Sequence, residues 1–156
     1  MPTRVFSQQP DLVAALPQLL AHARRFFAAE VEVLASSPPV RAEPALAQVT
    51  LRFEGARYPG SGTFTLQARR PTATDQAAAE LAERRGKAGG MAQLAARCAA
   101  LWVVTAEEGV TGTAELQLSA LLASIALGPV LPSDESTLYG VRGAMERAEK
   151  ESLRRE

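Results

Sequence analysis

The stretch A-A-L-W-V-V-T-A-E-E-G-V-T-G-T-A-E-L-Q-L-S-A-L-L-A-S-I-A-L-G-P-V-L, from Ala99 to Leu131, decides how the chain is read. It holds the only tryptophan, carries no Lys or Arg, and keeps its three acids, Glu107, Glu108 and Glu115, near the connection in its middle. A segment this apolar must be covered by the rest of the molecule, because burial of apolar surface drives folding. It reads as a core strand, Leu101–Thr105, a turn through E-E-G-V-T-G, and a core helix ending near Gly128-Pro129. Ala114–Leu118 also alternates, so a short strand there is the rival reading.

Toward the N-terminus, Leu12, Leu16, Leu19, Leu20 and Ala23 share one helical face, and Pro10 suits a first helical position. Pro17 removes an amide donor within that pattern, which predicts a kink or two short helices. From Arg24 the period becomes two, with Phe27, Ala29, Val31, Val33 and Ala35 on one side of a half-buried strand. Ser36–Pro44 carries three prolines and reads as a loop. Val49, Leu51 and Phe53, then Phe64, Leu66 and Ala68, flank the turn residues Tyr58–Gly62 and predict a hairpin.

Thr72 and Asp75 resemble a capping pair. The helix after them would turn Ala77, Ala78, Leu81 and Ala82 inward and pair Glu80 with Arg84 and Glu83 with Lys87. Gly86–Gly90 breaks it, and a second helix carries Met91, Leu94, Ala95 and Cys98 on one side. Ser133 would cap a last helix running to Leu153, with Leu138, Val141, Met145 and Ala148 inward and residues 150–156 as a solvated tail. The order of elements predicts an α+β fold: a single domain over residues 1–156, an antiparallel sheet of about four strands, and helices packed on one face.

Composition limits function. The formal net charge is zero, so no global field draws the chain to nucleic acid or to an anionic membrane. Thirty alanines, fifteen arginines against two lysines and no asparagine point to a GC-rich bacterial genome, and the arginine excess is not read as phosphate recognition. No apolar run of signal-peptide length precedes Asp11. The run 116–131 is interrupted by Gln117, Ser119, Ser124 and Pro129 and is shorter than the ~20 residues of a membrane span. One cysteine allows no internal disulfide, so the expected setting is cytoplasmic.

The chain lacks C-x-x-C, H-E-x-x-H, G-x-S-x-G and G-x-G-x-x-G, and its single histidine forbids a two-histidine metal site, so neither metal nor cofactor is expected. Cys98 and His22 are the residue types of a nucleophile and its base, but Cys98 on an apolar helical face behaves as a small hydrophobe. R-R-G-K-A-G-G (Arg84–Gly90) offers Arg85 and Lys87 to an anion; the plainer reading is a helix end with basic residues in its last turn. Glu107 and Glu108 would form a solvated turn. Gly140 and Gly143, placed in the interior of the last helix, cost about 1 kcal/mol each relative to alanine. Close packing on the core helix or on a second subunit would compensate. Tyr139 would lie roughly 100° round that helix from Leu138, where an aromatic with a polar tip serves as an interface anchor.

No paired catalytic residue types emerge. The expected function is therefore a non-catalytic protein-binding module: an adaptor, an inhibitor or immunity-type partner, or an assembly subunit. It would bind another protein or itself through Tyr139, Gly140, Gly143, Arg85 and Lys87. The alternative is a small-molecule-binding domain or weakly signalled hydrolase, with a pocket between sheet and core helix anchored by Arg52, Glu54 or Glu107. A pocket holding two or more convergent charged groups favours the alternative; a smooth body with one exposed apolar patch favours the module.

Overall fold

A computed structural model describes residues 2–37 and 46–154. The strands are β1 (Thr3–Ser7), β2 (Glu30–Ser37), β3 (Ala47–Glu54), β4 (Ser61–Arg69), β5 (Ala100–Ala106) and β6 (Val130–Leu131). The helices are α1 (Leu12–Phe27), α2 (Ala73–Gly86), α3 (Met91–Ala96), α4 (Ala114–Ala126) and α5 (Val141–Arg154). The strands form one open antiparallel sheet in the order β2-β3-β4-β5-β1-β6.

The organising stretch folds as its pattern dictates. β5 sends Ala100, Trp102 and Val104 to one face, where they pack with α1 and α4, and Leu101 and Val103 to the other. Helix α4 occupies Ala114–Ala126, which settles the ambiguous 114–118 segment as helical; ten of its residues are buried. The hairpin is also as expected, β3 against β4 with Leu51 opposite Phe64 and Val49 opposite Leu66. Those side chains, with Val31, Leu118, Leu122 and Ile125, belong to the same core as Trp102.

Six strands replace the expected four or so, and helices cover both faces rather than one. Each extra strand lies beside β1 or is β1. Arg4 and Phe6 point away from the main core, and Phe6, Leu101, Val103 and Leu131 meet Ala79 and Ala82 of α2 and Ala92 and Ala95 of α3 in a second apolar cluster. The opposite face of β3 and β4 carries Arg52, Glu54 and Gln67 and stays exposed.

Helix α1 is not divided at Pro17 and does not stop at Ala23. It runs through Phe27 because Leu12, Leu16, Leu19, Ala23 and Phe27 make one continuous buried stripe. Burying each such large side chain is worth about 1.5–3 kcal/mol, which together outweighs the ~3 kcal/mol a helical proline costs. The helix closes on Ala28 in the left-handed conformation (φ 50°), so β2 begins only at Glu30. Ser36 and Ser37 belong to β2; the remainder of the expected loop, 38–44, lies outside the described residues.

In α2 the inward residues are Asp75, Ala79 and Ala82, while Leu81 is exposed. The helix is turned from the expected face because the buried side chain of Asp75 is fixed to the sheet, as described below. Glu83 spends its carboxylate on the amide of Gly90 (2.7 Å). The last helix begins at Val141, not Ser133. The backbone of Tyr139 pairs with Val130 (2.7 and 3.0 Å) and extends the sheet edge, so the preceding segment cannot be helical. Nor is the C-terminal end a solvated tail from residue 150. Ser152 is fully buried and its hydroxyl shares a hydrogen bond of 2.6 Å with that of Thr113.

Candidate functional site

Two polar assemblies flank the segment between β6 and α5. The first is an ion cluster under α2. Arg4, buried because β1 lies inside the sheet, donates to Asp75 (2.9 Å) and to Glu135 (3.1 Å). Asp75 also accepts two bonds from Arg69 (2.6 and 3.0 Å) and two from Thr72, whose hydroxyl caps α2 in return. Burial alone would raise the Asp75 carboxyl, but these bonds from Arg69, Thr72 and Arg4 hold it well below the usual carboxylate range. Glu135, a non-glycine residue at φ 53°, is held in that conformation with its carboxylate on Arg4. The cluster ties the start of α2 and the 132–139 segment to the middle of the sheet. Its charges are mutually matched, and it reads as architecture.

The second assembly lies by α4 and α5. Thr3, Glu115, Leu116, Ser119, Val130, Pro132, Ser133, Asp134 and Arg147 line a small, rather enclosed cleft of about 80 Å³. The packing that forms it follows from the polar residues inside the apolar stretch. Gln117 donates to Thr113 (3.0 Å), which bonds Ser152, and this buried chain locks α4 to α5. Thr3, at the start of β1, donates to one carboxylate oxygen of Glu115 (3.2 Å). The ring of Tyr139, fixed by its backbone pairing to Val130, lies 4.7 Å below the guanidinium carbon of Arg147.

Three features of the cleft are chemically open. The Ser119 hydroxyl is buried and has no hydrogen-bond partner, and its residue is 4 % exposed. The half-buried guanidinium of Arg147 makes its ring contact but no ion pair or hydrogen bond among the described residues. Asp134 remains ionised: bonds from Ser136, with a smaller contribution from the nearby charge of Arg147, hold its carboxyl below the usual range. Glu115 and Ser133 also border a second hollow, of about 360 Å³, walled by Pro2, Val104, Thr105 and Ala106. Arg147 borders a third, along α5, with Tyr139, Gly143, Lys150 and Arg154.

The structure brings together only some of the residues singled out from sequence. Tyr139 and Gly143 share the groove along α5. Tyr139 and Gly140 precede the helix, so neither the helical angle of Tyr139 nor a helix-interior cost at Gly140 applies. Gly140 faces Met91, and a Cβ there would stand 3.4 Å from the Met91 sulfur. Arg85 donates to the backbone oxygen of Glu135 (3.4 Å), and Lys87 is the left-handed C-cap of α2 (φ 55°). Both lie away from the cleft.

Of the other candidates, Arg52 and Glu54 pair with each other on the exposed sheet face (3.3 Å), and the Glu107 carboxylate accepts from Thr65 (3.5 Å). The sheet separates His22, on α1 and bonded to Ser124 (2.8 Å), from Cys98 in the second apolar cluster. The two do not form a dyad. Sequence reasoning passed over Ser119, Glu115 and Arg147 as site residues. The available signal was Ser119 beside Gln117 in the most apolar run of the chain, since a buried polar group needs a partner.

Among the described residues no three His, Cys, Asp or Glu side chains gather as a metal ion would require, and no helix is long and apolar enough to cross a membrane. Compared with known proteins, the chain matches no family model, no curated protein and no solved structure.

Proposed function

We propose that the chain is a non-catalytic binding protein whose ligand is a small polar molecule held in the cleft between Ser119 and Arg147. The observation that carries this is a pair of donors in one cavity: a buried hydroxyl without a partner and a ring-stacked guanidinium that makes no ion pair or hydrogen bond among the described residues. An unsatisfied buried hydroxyl costs about 1–3 kcal/mol, and a ligand oxygen would relieve it. Three charged groups converge there, Glu115, Asp134 and Arg147, which is the feature that favours small-molecule binding over the expected protein-binding module. The large exposed apolar side chains are instead scattered over β2, the approach to β3, α2 and the ends of α4 and α5, as Leu34, Leu46, Leu81, Leu127 and Leu153.

A pool of amino acids, carboxylic acids, amines and sugars added to the labelled protein tests this by amide NMR. The expected result is a shift confined to the amides of Thr3, Glu115, Ser119, Asp134 and Arg147. A pool that leaves all five unmoved refutes the reading.

One observation favours the protein-binding reading as a second. Strand β2 is an eight-residue edge whose sole strand neighbour among the described residues is β3, while Tyr139 extends the opposite edge. A partner strand, from a second copy or another protein, would add along β2. Light scattering that finds a dimer in the native protein and a monomer in Val33→Pro would support it; a native monomer removes the second copy. A cytoplasmic setting in a GC-rich bacterium fits the one buried thiol and the alanine and arginine usage.

A further inference from the structure

We infer that the cleft selects a zwitterion: an ammonium and a carboxylate carried on one short skeleton, as in an α-amino acid. The inference rests on the small-ligand reading above and names the ligand's class. The lining supplies one positive group, Arg147, and two negative ones, Glu115 and Asp134. Arg147 presents the planar fork that pairs with a carboxylate, already oriented by its stacking on Tyr139, and among the described residues no acidic side chain forms an ion pair with that fork. The Ser119 hydroxyl adds a neutral donor on the same cavity wall, available to a ligand oxygen.

On the acidic side Asp134 accepts from Ser136, and Glu115 is the less committed carboxylate. One oxygen of Glu115 accepts from Thr3, its other oxygen has no partner, and no Lys or Arg pairs with it among the described residues. A simple anion would satisfy Arg147 and Ser119 but would face two carboxylates. A simple cation would satisfy Glu115 and Asp134 but would stand against the guanidinium. A ligand bearing both charges meets both sets of groups and leaves no charge unmatched but one carboxylate. The cleft, at about 80 Å³, has room for the charged head alone. A side chain leaves past Glu115 and Ser133 into the hollow of Pro2, Val104, Thr105 and Ala106, which offers it no further charge. The side chain is therefore uncharged.

Calorimetric titration of the whole chain with L-alanine, alaninamide, propionate and inorganic phosphate tests this. The first probe carries both charges, the second only the ammonium, and the last two only negative charge. Alanine is expected to bind about ten-fold or more tightly than any other probe, since each charge-assisted hydrogen bond is stronger than a neutral one. Arg147→Met is expected to lower alanine affinity by about ten-fold while leaving alaninamide within roughly two-fold. Glu115→Gln, which keeps an oxygen for Thr3, is expected to weaken alanine and alaninamide but not propionate. Propionate or phosphate binding as well as alanine makes this an anion site; alaninamide binding as well makes it a cation site. Either outcome overturns the zwitterion and leaves the small-ligand reading intact, as does a sugar that shifts the cleft amides when no amino acid does. Amides of the cleft unmoved by every probe overturn both. The comparison among probes uses the native protein, so it stands even if a variant fails to fold.

Discussion

Replacing Asp75 with asparagine measures what the ion cluster contributes to holding α2 on the sheet. The residue is 2 % exposed and takes five hydrogen bonds, one from Arg4, two from Arg69 and two from Thr72. Arg69 is more than a third exposed, so its pairing is screened and worth no more than ~1 kcal/mol. Arg4 is the decisive partner. Its side chain is 6 % exposed, its Nε has no partner, and without Asp75 it keeps only Glu135. Breaking a buried pair by neutralising one member costs about 3–5 kcal/mol, a large share of the 5–15 kcal/mol by which domains of roughly this size are stable. Asparagine retains an oxygen for the Thr72 amide, so the separate loss of about 1 kcal/mol for a missing cap is not added.

Urea unfolding followed by Trp102 fluorescence should show a lower midpoint and an unchanged slope. A loss below ~1 kcal/mol would mean that apolar contacts alone hold the helix, and the reasoning would fail. Arg4→Met in the Asp75→Asn background should recover most of the loss, since an unpaired buried charge is then gone. The pH dependence has a fixed sign. The carboxyl is depressed in the folded state, so its stabilisation is fully present above the unfolded value of 3.8 and fades as pH falls below it. Wild type and Asp75→Asn should therefore converge in acid.

Gly143 and Gly128 should respond to alanine with opposite signs. A Cβ at Gly143 makes ordinary contact with the Tyr139 ring at 3.7 Å, and the helix gains about 0.5–1 kcal/mol, read as a higher Tm. A Cβ at Gly128 would collide with the Phe6 carbonyl oxygen, so that variant should melt lower; equal melting of the two would refute the close approach. Trp102→Ala should cost about 3–5 kcal/mol, and a Tm equal to wild type would show that Trp102 is not central to the core. Burial pushes the Cys98 thiol up to about 11, so native Cys98 should resist iodoacetamide at pH 8 and react once urea unfolds the chain. Rapid modification of the folded protein would contradict its burial.

What could be read in the sequence was whatever a local pattern expressed. The hairpin announces itself by its alternation, and β5 and α4 by continuous apolar runs long enough to mark a buried element. β1 does not. It is buried on both faces and carries Thr3, Arg4 and Ser7, so no alternation of apolar and polar residues marks it. Arg4 looks like any surface arginine until Asp75, far along the chain, is placed against it. The 133–140 segment shows helix-starting chemistry in Ser133, Asp134 and Glu135, yet a two-residue strand partner at Val130 overrides it. The cleft was hidden for the same reason. Ser119 and Arg147 lie on different helices, and neither has a local motif that names the other. Tyr139 was singled out by an argument from helix geometry that the fold removes, although it lines the adjoining groove together with Gly143, which does lie within α5.

The position of β1 has a consequence for how the chain is made. Thr3 pairs with Val104 and Arg4 with Leu131, so β1 is flanked by two strands that are translated long after it. While the ribosome works, β2, β3 and β4 can zip as neighbours in time as well as in space. Val5 and Phe6 must wait, oily and unpaired, for Trp102 and Leu101 of β5, which come only after α1, β2, β3, β4, α2 and α3 have been made. The closing of the sheet is thus a late insertion between two strand edges, a step with high loop-closure entropy and slow kinetics. Nascent chains stalled before β5 should expose that apolar pair to chaperones, and chains stalled after α4 should hide it.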